Sequence, residues 1–207
     1  LRLQADEGAP VLRRQPRVAV TNPVSVRHWF SLLTALLVVP AVVGCSSTGK
    51  NTDACPRVAV LSEAGSLTRY VPGAGTDILD IDFQGEIADL VAQCEFPDVK
   101  GTRQVLVKLA PVFVVSRGAA NTNRKVDFTY FVSVVRNEEI LSKQLFMVSS
   151  EFAGNRSRVV LKDDNPPIDI DIPLPYRAAE YEYEILVGFQ LTPEELQRNQ
   201  ASRGLAR

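Results

Sequence analysis

The sequence predicts an all-β protein: a two-sheet β-sandwich of about seven strands, with an apolar segment before it and a short helix after it. Three observations predict this. Runs rich in Val, Ile, Phe, Tyr and Thr recur from Arg57 to Leu191, the composition that fits a pleated, half-buried surface. Clusters of Gly, Pro, Asn and Asp separate these runs and mark turns. A helix-start signal in this region appears at Thr192-Pro193-Glu194-Glu195, where Thr caps, Pro opens the first turn and Glu stands three after the cap.

Taken in order, Arg57–Leu61 is a short apolar run after Pro56. Ile78–Gln84 alternates, with Asp80, Asp82 and Gln84 on one side and Leu79, Ile81 and Phe83 on the other. Gly85 permits a bend or bulge. Glu86–Phe96 continues the apolar content, although Ala88 to Ala92 also fits one helical turn. Gln104–Val115 is strand-like, and Pro111 inside it indicates a bulge or an edge position. Val126–Arg136 and Ile140–Phe152 form a hairpin joined by Asn137-Glu138-Glu139. Arg158–Lys162 leads into a turn at residues 163–167, and Ile168–Ile172 alternates with Asp169 and Asp171. Glu180–Leu191 is a last long strand with Tyr181, Tyr183, Ile185, Val187 and Phe189 on one face. The capped helix then gives way to a polar, frayed tail near Gln200–Arg207.

The N-terminal part reads differently. Residues 1–25 are rich in Arg, Pro and Ala without a clear period, which reads as upstream or disordered leader sequence. Met147 is the only methionine, and Val24 or Val26 is a candidate start. From Val26 the pattern sharpens: Arg27 and His28 supply positive charge, and the 15 residues from Trp29 to Val43 carry none. A positive start, an apolar core of this length and a small residue at its end describe a secretory signal helix. A membrane-spanning helix needs about 20 apolar residues, and Pro40 interrupts this stretch.

Val42-Val43-Gly44-Cys45 closes the segment. On these residues, and over about residues 26–46, the chain resembles the bacterial lipoprotein class. Its lipobox sets an aliphatic residue three before a cysteine and Gly or Ala immediately before it. The resemblance implies cleavage between Gly44 and Cys45, a diacylglycerol thioether on the Cys45 sulfur, and acylation of the new amine. Several acyl chains anchor firmly where one binds only marginally. Ser46, rather than Asp, after the cysteine implies sorting to the periplasmic face of the outer membrane. Arg13-Arg14 lies too far upstream of the apolar core to read as a twin-arginine signal.

The expected organisation is therefore a leader at residues 1–25, a signal peptide at 26–44, a lipidated tether at 45–54, a sandwich at 55–192, and a helix and tail at 193–207. An immunoglobulin-like or fibronectin-like topology is the natural expectation for the sandwich by size, although it lacks a core Trp. With Cys45 lipidated, Cys55 and Cys94 form an even pair in a compartment that permits disulfides. Their bond closes a loop of about 40 residues, stabilising by roughly 3–4 kcal/mol in the chain-entropy picture.

Charge and composition narrow the chemistry. Residues 1–44 hold five Arg and two acids, which leaves 18 basic and 22 acidic residues from Cys45 onward, a net of about −4. That balance argues against nucleic-acid binding, which needs a basic face. The only His, His28, and the only Trp, Trp29, precede the cut. The mature chain then lacks imidazole for triads, general bases and metal ligation.

The remaining candidates are weaker. Asp169 and Asp171, with Asp163 and Asp164 nearby, offer oxygen ligands for Ca²⁺, but read first as a solvated strand face beside a turn. Asp80 and Asp82 offer a carboxylate pair of the kind a glycosidase uses, with nothing in the sequence that positions them. No Ser-x-x-Lys spacing occurs from Cys55 onward, so the serines, Ser149-Ser150 included, have no adjacent base. Gly73-Ala74-Gly75 lacks phosphate-loop order and reads as a turn. Tyr130, Tyr176, Tyr181 and Tyr183 read as sheet packing before an aromatic binding surface. No catalytic, metal-binding or cofactor-binding residue is assigned. The expected function is a non-enzymatic structural or assembly module of a cell-envelope complex, with the membrane and an envelope protein as partners. The other readings are a binding module for a small ligand, glycan or calcium, and a carboxylate-based hydrolase.

Overall fold

The structure, a computed structural model, describes residues 11–14, 55–174 and 182–204. The lipobox residues Val42 to Cys45, the signal segment, the tether up to Ala54, and Tyr176 and Tyr181 lie outside the described residues. All described residues belong to one compact unit.

The strands are β1 (Val11–Arg14), β2 (Arg57–Val60), β3 (Ser66–Tyr70), β4 (Ile81–Glu95), β5 (Asp98–Val99), β6 (Thr102–Arg117), β7 (Lys125–Arg136), β8 (Glu139–Glu151), β9 (Arg158–Lys162), β10 (Ile168–Pro173) and β11 (Tyr183–Phe189). One helix, α1 (Pro193–Gly204), follows. The larger sheet runs β1-β10-β6-β4-β3, with β5 and β9 also pairing with β6; the smaller runs β2-β11-β7-β8. All pairs are antiparallel except β2 with β11. The architecture is thus the expected all-β sandwich.

The inner faces obey strand alternation. Phe83 and Ile87 of β4, Val105, Val107, Leu109, Phe113 and Val115 of β6, and Ile168, Ile170 and Ile172 of β10 meet Phe128, Tyr130, Val132, Ile185 and Phe189 from the smaller sheet. Phe113 sits at the centre, with ring centroids of Phe128 at 5.0 Å, Tyr130 at 4.9 Å and Phe189 at 5.7 Å. Burying such a ring is worth about 1.5–3 kcal/mol by area alone.

The details depart from the sequence reading at several points. Among the described residues, ten strands from Arg57 onward stand where about seven were expected. Ser66–Tyr70 has only Leu67 buried and so shows no alternating pattern, and Asp98–Val99 is too short for one. Ile78–Asp80 is a 3-10 turn rather than strand, because the Asp77 carboxylate accepts the Leu79 N–H at 3.2 Å and Asp80 returns the contact to the Asp77 N–H. Ala88 to Ala92 is strand, held by pairing with β6 on both sides of a bulge between Ile87 and Asp89. Gly85 faces inward against the Phe189 ring, which a side chain there would strike at 3.1 Å.

The hairpin connection has two residues, Asn137 and Glu138, with φ of 49° and 66°. Positive φ at both central positions matches the right-handed twist of the strands. Helix α1 continues through Gln200 to Gly204 where a frayed tail was expected. Its Asn199 amide donates to the carbonyls of Glu63 and Ser66, both at 2.9 Å, which docks the last turns. Val11–Arg14, read as leader, pairs with β10.

Pro111 has a clear logic. On one side of β6, β10 pairs with residues 104–109 and β9 with residues 112–116. Pro111 falls where one neighbour gives way to the other, so its missing N–H costs no ladder bond. Its carbonyl still accepts the Asp163 N–H at 3.0 Å.

Candidate functional site

The two cysteines singled out in the sequence, Cys55 and Cys94, come together as a disulfide with Cα atoms 5.9 Å apart. The bond ties the first described residue of the body to the end of β4.

The acids do not converge. Asp80 caps its 3-10 turn. Asp82 accepts from the Asn121 amide at 2.8 Å, and Asn121 also donates to the Lys125 carbonyl at 2.9 Å. Asp163 accepts the Tyr130 hydroxyl at 2.5 Å, and Asp164 pairs with Lys162 at 3.0 Å. Asp169 is buried on β10, while Asp171 is half-buried. Among the described residues, no three His, Cys, Asp or Glu side chains are placed to hold a metal ion. Tyr130 and Tyr183 are core residues. In the Gly73-Ala74-Gly75 segment, Ala74 N–H donates to the Val71 carbonyl at 3.1 Å, closing a turn.

The feature that stands out is the outer face of the smaller sheet. Along β7, the outward positions Phe131, Ser133 and Val135 are buried although they belong to no part of the central core. The register sets Phe131 between Gly188 and Leu145, Ser133 between Leu186 and Lys143, and Val135 between Glu184 and Ile140. Directly opposed residues share a face. The face therefore carries Phe131, Val135, Leu186, Ile140 and Leu145, with Ser133, Lys143 and Glu184 between them. Gly188 is required there: a side chain would strike the Phe131 ring at 2.7 Å. The Lys143 ammonium sits 4.3 Å from the Phe131 ring centroid, a cation–π contact.

This face forms a groove of about 520 Å³ between β7, β11 and the start of α1, with Leu61, Leu191 and Leu196 on the helix side and Glu138, Lys143, Glu184 and Gln190 at its rim. Beyond it, β8 leaves Ile140 at 62%, Leu145 at 53% and Met147 at 75% exposure. Helix α1 walls the groove because its start is firmly fixed. Glu195 accepts the Thr192 N–H at 2.8 Å and returns its own N–H to the Thr192 hydroxyl at 3.3 Å, the reciprocal capping the sequence indicated. Glu195 is buried, and its other oxygen lies 3.0 Å from Arg69 Nε. That contact is an ion pair by distance, without the alignment of a hydrogen bond.

A second depression, about 670 Å³, lies on the outer face of the larger sheet and is lined mainly by polar groups, including Thr68, Gln84, Glu86, Ser116, Arg158 and Arg203.

The sequence places Leu61, Glu138, Ile140, Phe189 and Leu191 in strands and turns but marks none of the groove residues as a site. The signal was present in Phe131-Val132-Ser133-Val134-Val135, where the alternation of a half-buried strand is lost. An apolar run broken only by Ser133 marks a strand covered on both faces.

No family model matches the chain, and neither a curated protein nor a solved structure is similar to it.

Proposed function

We propose that the protein is a lipid-anchored, non-catalytic assembly module of the bacterial cell envelope. Lipid on Cys45 holds it at the periplasmic face of the outer membrane, and the apolar outer face of the smaller sheet docks an envelope protein. The observation that carries the docking role is the exposed row Ile140, Leu145 and Met147 beside the rimmed groove. Lys143 interrupts this row between Ile140 and Leu145, and exposed apolar side chains set among polar ones are the anatomy of a protein-binding site. The tether supports the anchored placement: nine residues lie between Cys45 and Cys55, so the two cysteines can stand about 35 Å apart at most. The docking face then works close to the membrane.

The test is site-specific photo-crosslinking in living cells. A crosslinker at Leu145 or Met147 should capture one defined protein, a crosslinker at Arg158 on the opposite outer face should not, and Cys45→Ala should abolish the capture. Equal or absent capture at the two faces rejects the proposal.

One alternative has its own observation. The polar depression of the larger sheet, with Thr68, Gln84, Ser116 and Arg158 side chains, has the donors and acceptors that a glycan engages. A thermal-shift screen against envelope glycans without a hit removes it.

A further inference from the structure

The outer edge of β10 is a second feature with an unmet need. β10 sits between β6 and β1. Its inner residues Ile168, Ile170 and Ile172 are fully buried in the core. Edge strands are normally protected by Lys, a bulge or a central Pro. β10 has none of these along residues 168–172, and its Pro173 stands at the far end. What covers the edge is β1, antiparallel, in the register Val11↔Asp171, Leu12↔Ile170, Arg13↔Asp169 and Arg14↔Ile168.

Asp169 marks the same edge. It is only 5% exposed. Lys108 stands opposite it on β6, but the Lys108 ammonium is paired with Glu95 at 3.0 Å. Among the described residues no hydrogen bond or ion pair reaches the Asp169 carboxylate. Asp169 is nearly covered yet keeps some contact with water, and the register places a basic residue opposite it on the strand that fills the edge. That strand precedes Cys45 and leaves with the signal segment if the chain is cut there.

We propose that the outer edge of β10 is a strand-acceptor site. In a chain that carries residues 11–14, that segment occupies it before processing. In the mature protein an antiparallel segment of an envelope partner replaces it, with an aliphatic residue opposite Ile170 and a Lys or Arg opposite Asp169. Main-chain hydrogen bonds supply affinity and the two opposed side chains supply selection, as in other strand additions. The replacement step rests on the lipoprotein reading of Cys45; the acceptor edge itself does not.

The test uses the full chain with a site for a sequence-specific protease inserted before Cys45. Hydrogen exchange of the β10 amides is read before cutting, after cutting and dilution, and after adding a peptide spanning Pro10 to Pro16. β10 should exchange at least about tenfold faster once the leader is lost, with β7 still protected as the control for folding. The peptide should restore protection, and a peptide with Leu12→Asp and Arg13→Glu should not. The uncut chain with Leu12→Pro should deprotect β10 alone, which covers the case of a cut body that unfolds. Unchanged β10 exchange in both the cut chain and the Leu12→Pro chain, or equal action of the two peptides, overturns the acceptor site. The mass of the chain extracted from bacterial membranes reads the other premise separately. A chain that still carries residues before Cys45 overturns the replacement by a partner even if the peptide binds. A processed chain whose edge ignores the peptide overturns the acceptor site and leaves the anchor standing.

Discussion

The two outer faces of the sandwich follow the same alternation and come out chemically opposite. On the larger sheet, Thr68 of β3, Gln84 and Glu86 of β4, Ser116 of β6 and Arg158 of β9 share a surface in which Val114 and the exposed Val160 are the apolar members. On the smaller sheet the equivalent layer holds Phe131, Val135, Ile140, Leu145, Met147 and Leu186. The polar face needs only water. The apolar face is already half covered by α1, its cap and the Lys143 ammonium, and the remainder along β8 is the part that a partner would complete. Apolar residues that stabilise the fold are thereby separated from apolar residues left exposed on the strands, such as Leu145 and Met147.

The largest expected effect sets the scale for both faces. Phe113 is fully buried between the sheets and touches three other rings. Phe113→Ala should cost about 3–5 kcal/mol in urea unfolding, as large-to-small core changes do. A loss below about 1 kcal/mol would mean that the shared core is not where the two sheets gain their stability.

The second effect sharpens the contrast directly. Phe131 is outward-facing yet buried, so Phe131→Ala should cost about 2–4 kcal/mol, near the core range. Val160 points out from β9 and is exposed, so Val160→Ala should stay within about 0.5 kcal/mol. Equal small losses at both positions would erase the distinction between the faces.

A smaller effect concerns the wall of the groove. Thr192→Ala should cost about 1 kcal/mol through the lost cap. Its pH dependence has a definite sign. Backbone hydrogen bonding at Glu194 and the Thr192 hydroxyl hold the Glu194 carboxyl below its ordinary value of 4.5. The unfolded chain keeps the ordinary value. The contribution is therefore fully present above that value and is lost as pH falls through the lower folded one. An NMR titration should show the Glu194 midpoint move up toward 4.5 in Thr192→Ala; an unmoved midpoint would mean that the Thr192 hydroxyl does not stabilise the Glu194 carboxylate.

Much of this was legible in the residues. β9 was read with its bounds correct, as was the helix start at Thr192, because a short Val-Val-Leu run between polar loops and a reciprocal cap are local signals. The sequence also pointed to Cys55 and Cys94 as a pair. Other features depend on partners distant in sequence. Ser66–Tyr70 is a strand only because β4 pairs with it, and Ala88 to Ala92 chose strand over helix because β6 runs alongside. Val11–Arg14 gained its strand from β10 in the same way. The groove was missed for a different reason: its residues come from β7, β11 and α1, and only the register reveals that they share a face.

The central claim concerns Cys45, on which anchoring, processing and the short reach of the docking face all depend. The most direct measurement is the intact mass and membrane fractionation of the wild-type chain and Cys45→Ala expressed in a bacterial envelope. The account predicts a wild-type chain that begins at Cys45, carries acyl mass and sediments with membranes, beside a Cys45→Ala chain that is unprocessed and unlipidated. Identical mass and fractionation of the two proteins would contradict it.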